Sequence, residues 1–204
     1  MRLLKKFTLW TITGIVISTL TFGQKTKEIS EAPPTLTKRE IKREKLNHDC
    51  KAVDKFSPSQ RLEFYPFNTA SEVRLVSFDN KPDSSFEHRI PETNGEVDLS
   101  RLKELKTLNK EQFDSLTYLL FNVGYRGKIS TLEGTGCYNP RNAILFINSN
   151  GKAFEFIELC FECSGLRLSS DKIKTGEFCN QKYELLKSFF IQRGIKIGTA
   201  KEIE

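Results

Sequence analysis

Two cysteines three residues apart, Cys160 and Cys163 in the stretch "ELCFECSG", have the type and spacing to do chemistry. A C-x-x-C pair can staple a fold, exchange disulfides with a substrate, or give one knuckle of a tetrahedral zinc site. Exchange needs an activated thiolate. Such motifs obtain it by placing the first sulfur at a helix N-terminus, where the dipole and free amides lower the thiol pKa. Here Ser164, Gly165 and a β-like "LRLS" follow, so no helix starts, and Glu158 and Glu162 flank the pair with negative charge that disfavours a thiolate. A zinc site would draw on Cys137, Cys160, Cys163 and Cys179, but C-x22-C-x2-C-x15-C has one knuckle where zinc ribbons have two. Disulfide stapling is the preferred chemistry, with thiol exchange at Cys160 and Cys163 and zinc binding by all four cysteines as alternatives. In an oxidising compartment Cys137 pairs with Cys163, or with Cys160, and Cys179 takes the remaining partner. Cys50 is then odd, either free or bonded to a second chain.

A polar group surrounds the same corner. Tyr138, Arg141, Glu158 and Glu162 form a candidate cleft for a small polar ligand, with Arg141 and Glu158 expected as a cross-strand ion pair. Other chemistries find less support. The chain has two histidines, His48 and His88, and a His-dependent triad would rest on His88. "LEGTGCYNPRN" (132–142) has two glycines but no lysine and no helix after it, so it is not a phosphate loop.

These residues must be positioned by a sheet. "AILFINSNGKAFEFIEL" (143–159) is a β-hairpin signal: Asn150-Gly151 suits a two-residue type I′ turn, which needs positive φ at both central positions. That register sets Ile147 against Phe154, Leu145 against Phe156, Ala143 against Glu158 and Arg141 against Cys160, and so brings Cys137 beside Cys163. Large apolar residues on both faces make the hairpin central. "RLEFYPF" (61–67) and "EVRLVSFD" (72–79) read as strands. Leucines at 99, 102, 105 and 108 read as a short helical stripe. Asn109 with Gln112 is a capping box opening a helix with Phe113, Leu116, Leu120 and Val123 on one face and Gly124 as its stop. A last helix presents Tyr183, Leu186, Phe189 and Phe190 and ends at Gly194, before a short edge strand "IKI".

The amino terminus reads as an export signal. Arg2, Lys5 and Lys6 precede an uncharged apolar run, Phe7 to Phe22, which at about 16 residues is shorter than the ~20 a membrane span needs. The expected layout is a signal peptide over 1–23, a charged tether over 24–55 and one domain over 56–204, with no membrane span once the leader is cleaved. The basic pI of 9.0 does not point to nucleic acid. Residues 25–55 carry nine basic and six acidic side chains, whereas from Phe56 onward there are twenty of each sign. The domain is neutral, and nucleic-acid binders usually show a basic domain face.

The segment "CYNPRNAILFINSNGKAFEFIELCFECS", with the later cysteine and "FF…RGI", resembles a group of exported bacterial proteins of no known activity. The resemblance covers about residues 137–195. It implies export to the periplasm or beyond and a shared cysteine corner, and it implies no reaction. The expected protein is α+β, with a mainly antiparallel sheet, a central β-hairpin and two packing helices. Its expected role is that of an exported, disulfide-stapled binding or envelope-associated domain, needing no cofactor unless the zinc alternative holds.

Overall fold

Runs of β-branched and aromatic residues, bounded by Asn, Gly and Pro, form the sheet that organises this protein. The computed structural model describes residues 36–79, 89–130 and 136–199, and a compact unit begins at Leu36. In chain order it contains α1 (Lys38–Asn47), β1 (Cys50–Ala52), α2 (Pro58–Leu62) and β2 (Glu72–Phe78). A small hairpin, β3 (Glu92–Thr93) and β4 (Glu96–Val97), precedes β5 (Leu102–Thr107), α3 (Lys110–Phe121) and β6 (Val123–Tyr125). Then come β7 (Asn142–Ile147), β8 (Ala153–Cys160), β9 (Gly165–Leu168) and α4 (Lys182–Gln192). The signal peptide expected over 1–23, the first part of the tether and His88 lie outside the described residues. Among the described residues no helix is long and apolar enough to cross a membrane.

The main sheet has strand order β5-β2-β7-β8-β9 with antiparallel neighbours, so the fold is α+β and mainly antiparallel. All six residues of the central strand β7 are buried, as a strand with two covered faces requires. Ile144 and Phe146 point to one face, where Leu116 and Leu120 of α3 and Leu186, Phe189 and Phe190 of α4 pack against them. Ala143, Leu145 and Ile147 point to the other, under Ile90, Val97, Leu99 and Leu102. The two expected packing helices are therefore α3 and α4, on one side of the sheet.

The hairpin holds its expected register from Leu145↔Phe156 through Ala143↔Glu158. Its turn differs. Only Gly151 has positive φ, at 78°. Gly151 N–H donates to the Asn148 carbonyl at 3.0 Å, and Asn148 N–H to the Lys152 carbonyl at 2.9 Å. This is a three-residue loop with glycine in the left-handed position. Ile147 consequently pairs with Ala153 rather than Phe154, and a bulge between Phe146 and Ile147 restores the register.

Four other segments differ from expectation. Residues 61–67, expected as a strand, are instead the end of α2 and the turns after it: Ser57 and Gln60 make a capping box, and Pro58 sits in the first turn. The leucine stripe is a 3₁₀ turn capped by Asp98 and then the edge strand β5, paired to β2. α3 opens on the expected Asn109–Gln112 box, but it ends at Asn122, and Gly124 belongs to β6. Residues 195–197 do not form a strand, because the amides of Lys196 and Ile197 donate to the Glu104 carboxylate. Gly194 does end α4, with φ 83°.

Within the tether expected over 24–55, the described residues, from Leu36 on, carry a helix and a strand. Thr37 and Glu40 form a capping box for α1, and Glu44 and Asn47 hold Ser130 and the Lys128 carbonyl. β1 pairs with β6, Cys50 opposite Tyr125, and Cys50 is bonded to Cys179 across a separation of 129 residues. Closing so long a loop removes much of the unfolded chain's freedom. Replacing both residues (Cys50→Ala with Cys179→Ala) is expected to lower the unfolding free energy by about 3–5 kcal/mol, read from urea denaturation of the oxidised protein.

Candidate functional site

The cysteine corner forms, with a different membership. Cys137 bonds Cys163, one of the two pairings the sequence left open. Cys179 does not take Cys160 but bonds Cys50, so Cys50 is not left for a second chain. The reason is β1: once it pairs with β6, the Cys50 amide donates to Gln181 Oε1 at 2.7 Å and its side chain lies at the approach to α4. Cys160 is the free cysteine, and it is buried. The four-thiolate zinc set is not gathered, since Cys137, Cys163 and Cys179 are all in disulfides. Among the described residues no group of three or more His, Cys, Asp or Glu side chains is placed to hold a metal.

The C-x-x-C pair occupies a β-turn. Cys160 is the last residue of β8 and pairs with Gly165, the first of β9. Residues 161–164 make the turn, with Ser164 in the left-handed region at φ 48°. A strand and not a helix follows the pair, so the motif does not open a helix at the Cys160 sulfur. Its local donors are the backbone amides of Cys163 and Asn139, at 3.3 and 3.4 Å from Cys160 Sγ.

The four polar residues expected to line a cleft fall into two clusters. Glu158 is fully buried on β8. Its carboxylate accepts from Tyr138 Oη at 2.7 Å, Arg167 Nε at 2.9 Å, Arg167 Nη2 at 3.0 Å and the Ile90 amide at 2.5 Å. Arg167, opposite Glu158 on β9, takes the place expected for Arg141. Arg141 instead pairs with Glu162. Burial of Tyr138, and then its bond to Glu158, drives the phenol pKa far above its usual value. Burial of Arg167 works against its charge, but the Glu158 carboxylate outweighs it and raises the guanidinium pKa. Gly165 makes room for this cluster, since a Cβ there would come within 3.0 Å of the Tyr138 ring. The sequence did not reveal Arg167, because its position opposite Glu158 follows only from the register of β9. Removing the charge at Glu158 (Glu158→Gln) leaves Arg167 without its counter-ion beside an apolar face. A loss of about 3 kcal/mol is expected in chemical denaturation, the low end for breaking a buried pair because Arg167 is partly exposed.

A more open site lies at the β1–β6 ribbon. A cavity of about 580 Å³ is floored by Phe56, Phe64, Phe121 and Val123. Lys51, Lys55 and Lys174 stand along its sides, with Glu177 as the acidic residue there. The backbone forms this hollow through several specific contacts. Asn122 holds both backbone groups of Phe56, accepting from its amide at 2.9 Å and donating to its carbonyl at 2.6 Å. The Lys174 amide donates to the Tyr65 carbonyl at 2.9 Å. Glu177 Oε2 accepts the Tyr125 amide at 2.8 Å, and the Tyr125 hydroxyl donates to the Phe178 carbonyl at 2.9 Å. Gly176 packs so closely on the Leu120 carbonyl that a Cβ there would clash with backbone. His48 is buried behind the ribbon, edge-on to Tyr125 with ring centroids 5.8 Å apart.

Lys182 anchors this region from inside. It is fully buried, and its Nζ donates to the carbonyls of Leu119, Leu120 and Val123 at the end of α3 and the start of β6. An ammonium has three N–H groups for those three carbonyls. Burial pushes the amine pKa down to about 7, against an upward pull from Glu177. The unfolded chain keeps this proton up to the ordinary lysine value of about 10.4, so between these values it binds more protons than the folded state. Stability is therefore expected to rise with pH through that window and not below it. Urea midpoints at about pH 6.5 and pH 9 should show a rise that Lys182→Met reduces, on top of a general loss of about 1–3 kcal/mol from the carbonyls left unpaired.

Neither a family model, nor a curated protein, nor a solved structure matches the chain.

Proposed function

We propose that this protein is an exported, disulfide-stapled binding domain rather than an enzyme. The observation that carries this reading is the pair of bridges, Cys50–Cys179 and Cys137–Cys163, which use four of the five cysteines. Such bridges persist in oxidising compartments and are rare where glutathione and thioredoxin keep thiols reduced. The basic, then apolar, leader and the resemblance to exported bacterial proteins support the same compartment. The buried carboxylate Glu158 supports a structural role for the polar corner, because its two oxygens already accept four hydrogen bonds from within the chain.

Thiol–disulfide exchange is a second reading, favoured by the position of the Cys160 thiol three residues from a bridged cysteine and within reach of two amide donors. Burial and the absence of a following helix count against it. The two readings separate in protein purified without reductant. Under the staple reading native protein shows no reactive thiol, denatured protein shows one at Cys160, and peptide mapping recovers only the two bridges above. Several reactive thiols in native protein would overturn stapling. A fraction carrying Cys160 in a disulfide would favour exchange.

A further inference from the structure

The aromatic cavity at the β1–β6 ribbon differs from the cysteine corner in one decisive way: its charges are not consumed. Among the described residues, Lys51, Lys55 and Lys174 have no carboxylate partner within ion-pair distance. The one acid lining the cavity, Glu177, accepts the Tyr125 amide. Three ammonium groups stand around one carboxylate, Lys51 and Lys55 from the basic segment 25–55 and Lys174 from the charge-balanced stretch after it.

We infer that this cavity binds a single anionic amphiphile, an acyl or aryl carboxylate, with its apolar part on the phenylalanine floor and its carboxylate among the three lysines. This deepens the binding reading above and rests on it. The volume of about 580 Å³ lies within the range of small-molecule sites. Phe56, Phe64, Phe121 and Val123 offer an apolar surface that a hydrocarbon chain or ring covers favourably. The lysines suit a carboxylate because their flexible stems let each ammonium act as a movable point charge, and Lys55 Nζ already sits 5.2 Å from the Phe56 ring centroid, at the boundary between floor and charge.

The walls are fixed before any ligand arrives. β1 is held to β6 by its ladder and to the start of α4 by Cys50–Cys179. Asn122 fixes Phe56, and Lys182 fixes the end of α3 from which Phe121 projects. A preformed site of this kind avoids part of the ordering cost of binding. The long neutral or cationic relatives of such a ligand would fill the floor equally well and lack the charge for the rim, so the headgroup is what decides specificity.

The test uses the full mature chain with its bridges intact and dodecanoate as the probe, below its micelle concentration, followed by calorimetric titration. Dodecanoate should bind at one site, weaken as salt is raised, and outcompete dodecanol and dodecyltrimethylammonium. The triple substitution Lys51→Gln, Lys55→Gln, Lys174→Gln changes exposed residues and should weaken binding about ten-fold or more. Thr175→Trp, which places bulk at the cavity wall, should weaken dodecanoate and dodecanol alike. No binding of dodecanoate, equal binding of the cationic amphiphile, or unchanged affinity in the triple variant each overturns the inference. Binding to anionic phospholipid vesicles without binding of the monomeric carboxylate also overturns it, in favour of a membrane-facing surface. Bridge mapping on the same sample separates the two failures: correct bridges without dodecanoate binding sink only the cavity inference, whereas missing bridges sink the exported-domain reading.

Discussion

The end of α3 is the constraint on which much of this structure turns. A helix leaves its last carbonyls without partners, and α3 ends in the interior, with Leu120 and Phe121 buried. The usual remedy is a left-handed glycine just past the end. Here the helix runs straight into β6, and the partner comes from elsewhere in the chain: Lys182 sends an ammonium to two of the helix carbonyls, those of Leu119 and Leu120, and to that of Val123 at the start of β6. The arrangement trades one problem for another, since a buried charge is unfavourable unless its donors are satisfied, and burial pushes the amine's pKa toward neutrality. Its consequence is positional. The start of α4, the end of α3 and the start of β6 are tied at one atom.

That tie and the Cys50–Cys179 bridge act on the same junction. Cys179 lies three residues before Lys182, and Cys50 lies on the strand that pairs with β6. Starting at Lys182 one passes through carbonyls to β6, through the ladder to β1, through the disulfide to Cys179 and along the chain back to Lys182. Covalent, ladder and charge-assisted links therefore close one circuit, and the aromatic cavity lies against it. The polar corner around Glu158 of β8 has a different logic. Glu158 is enclosed by donors from Tyr138, Arg167 and Ile90, so its charge is satisfied internally and holds β8, β9 and the segment around Ile90 together. One site has spare charge at an open apolar hollow, and the other has none.

The parts of this fold legible in the sequence are those decided by local chemistry or by strict pattern. The Asn109–Gln112 box opens α3 because two side chains can satisfy each other's backbone. The 143–159 hairpin is legible because two apolar, β-branched and aromatic runs flank Asn-Gly, and it keeps the expected register from Leu145 to Ala143 while a bulge beside the turn shifts Ile147 to Ala153. Patterns decided by distant partners were illegible. The leucines at 99, 102, 105 and 108 have a spacing near that of a helix, yet β2 offers 102–107 a ladder. Residues 195–197 look like a strand, but their amides find the Glu104 carboxylate. α1 has a local signal in the capping-box spacing of Thr37 and Glu40, but dense charge and the five-residue spacing of Ile41 and Leu46 hide its apolar face. The partner of Cys50 is hidden with it, because a cysteine in a tether has no partner whereas one on a paired strand does.

With five cysteines one thiol must be spared within the monomer, and the sheet decides which. Cys160 is a ladder residue, fixed against Gly165, so its direction is set by strand geometry. Cys163 lies in the turn beyond, where the backbone has freedom to present its sulfur to Cys137, and Ser164 takes the left-handed conformation that closes the turn. A C-x-x-C that opens a helix exposes its first sulfur to a dipole and to solvent. A C-x-x-C that closes a β-hairpin does the reverse, burying the first sulfur under two amides and giving the second to a staple. The same four-residue spacing thus takes two backbone settings, and here β9 follows directly after the turn and Cys163 is given to the bridge with Cys137.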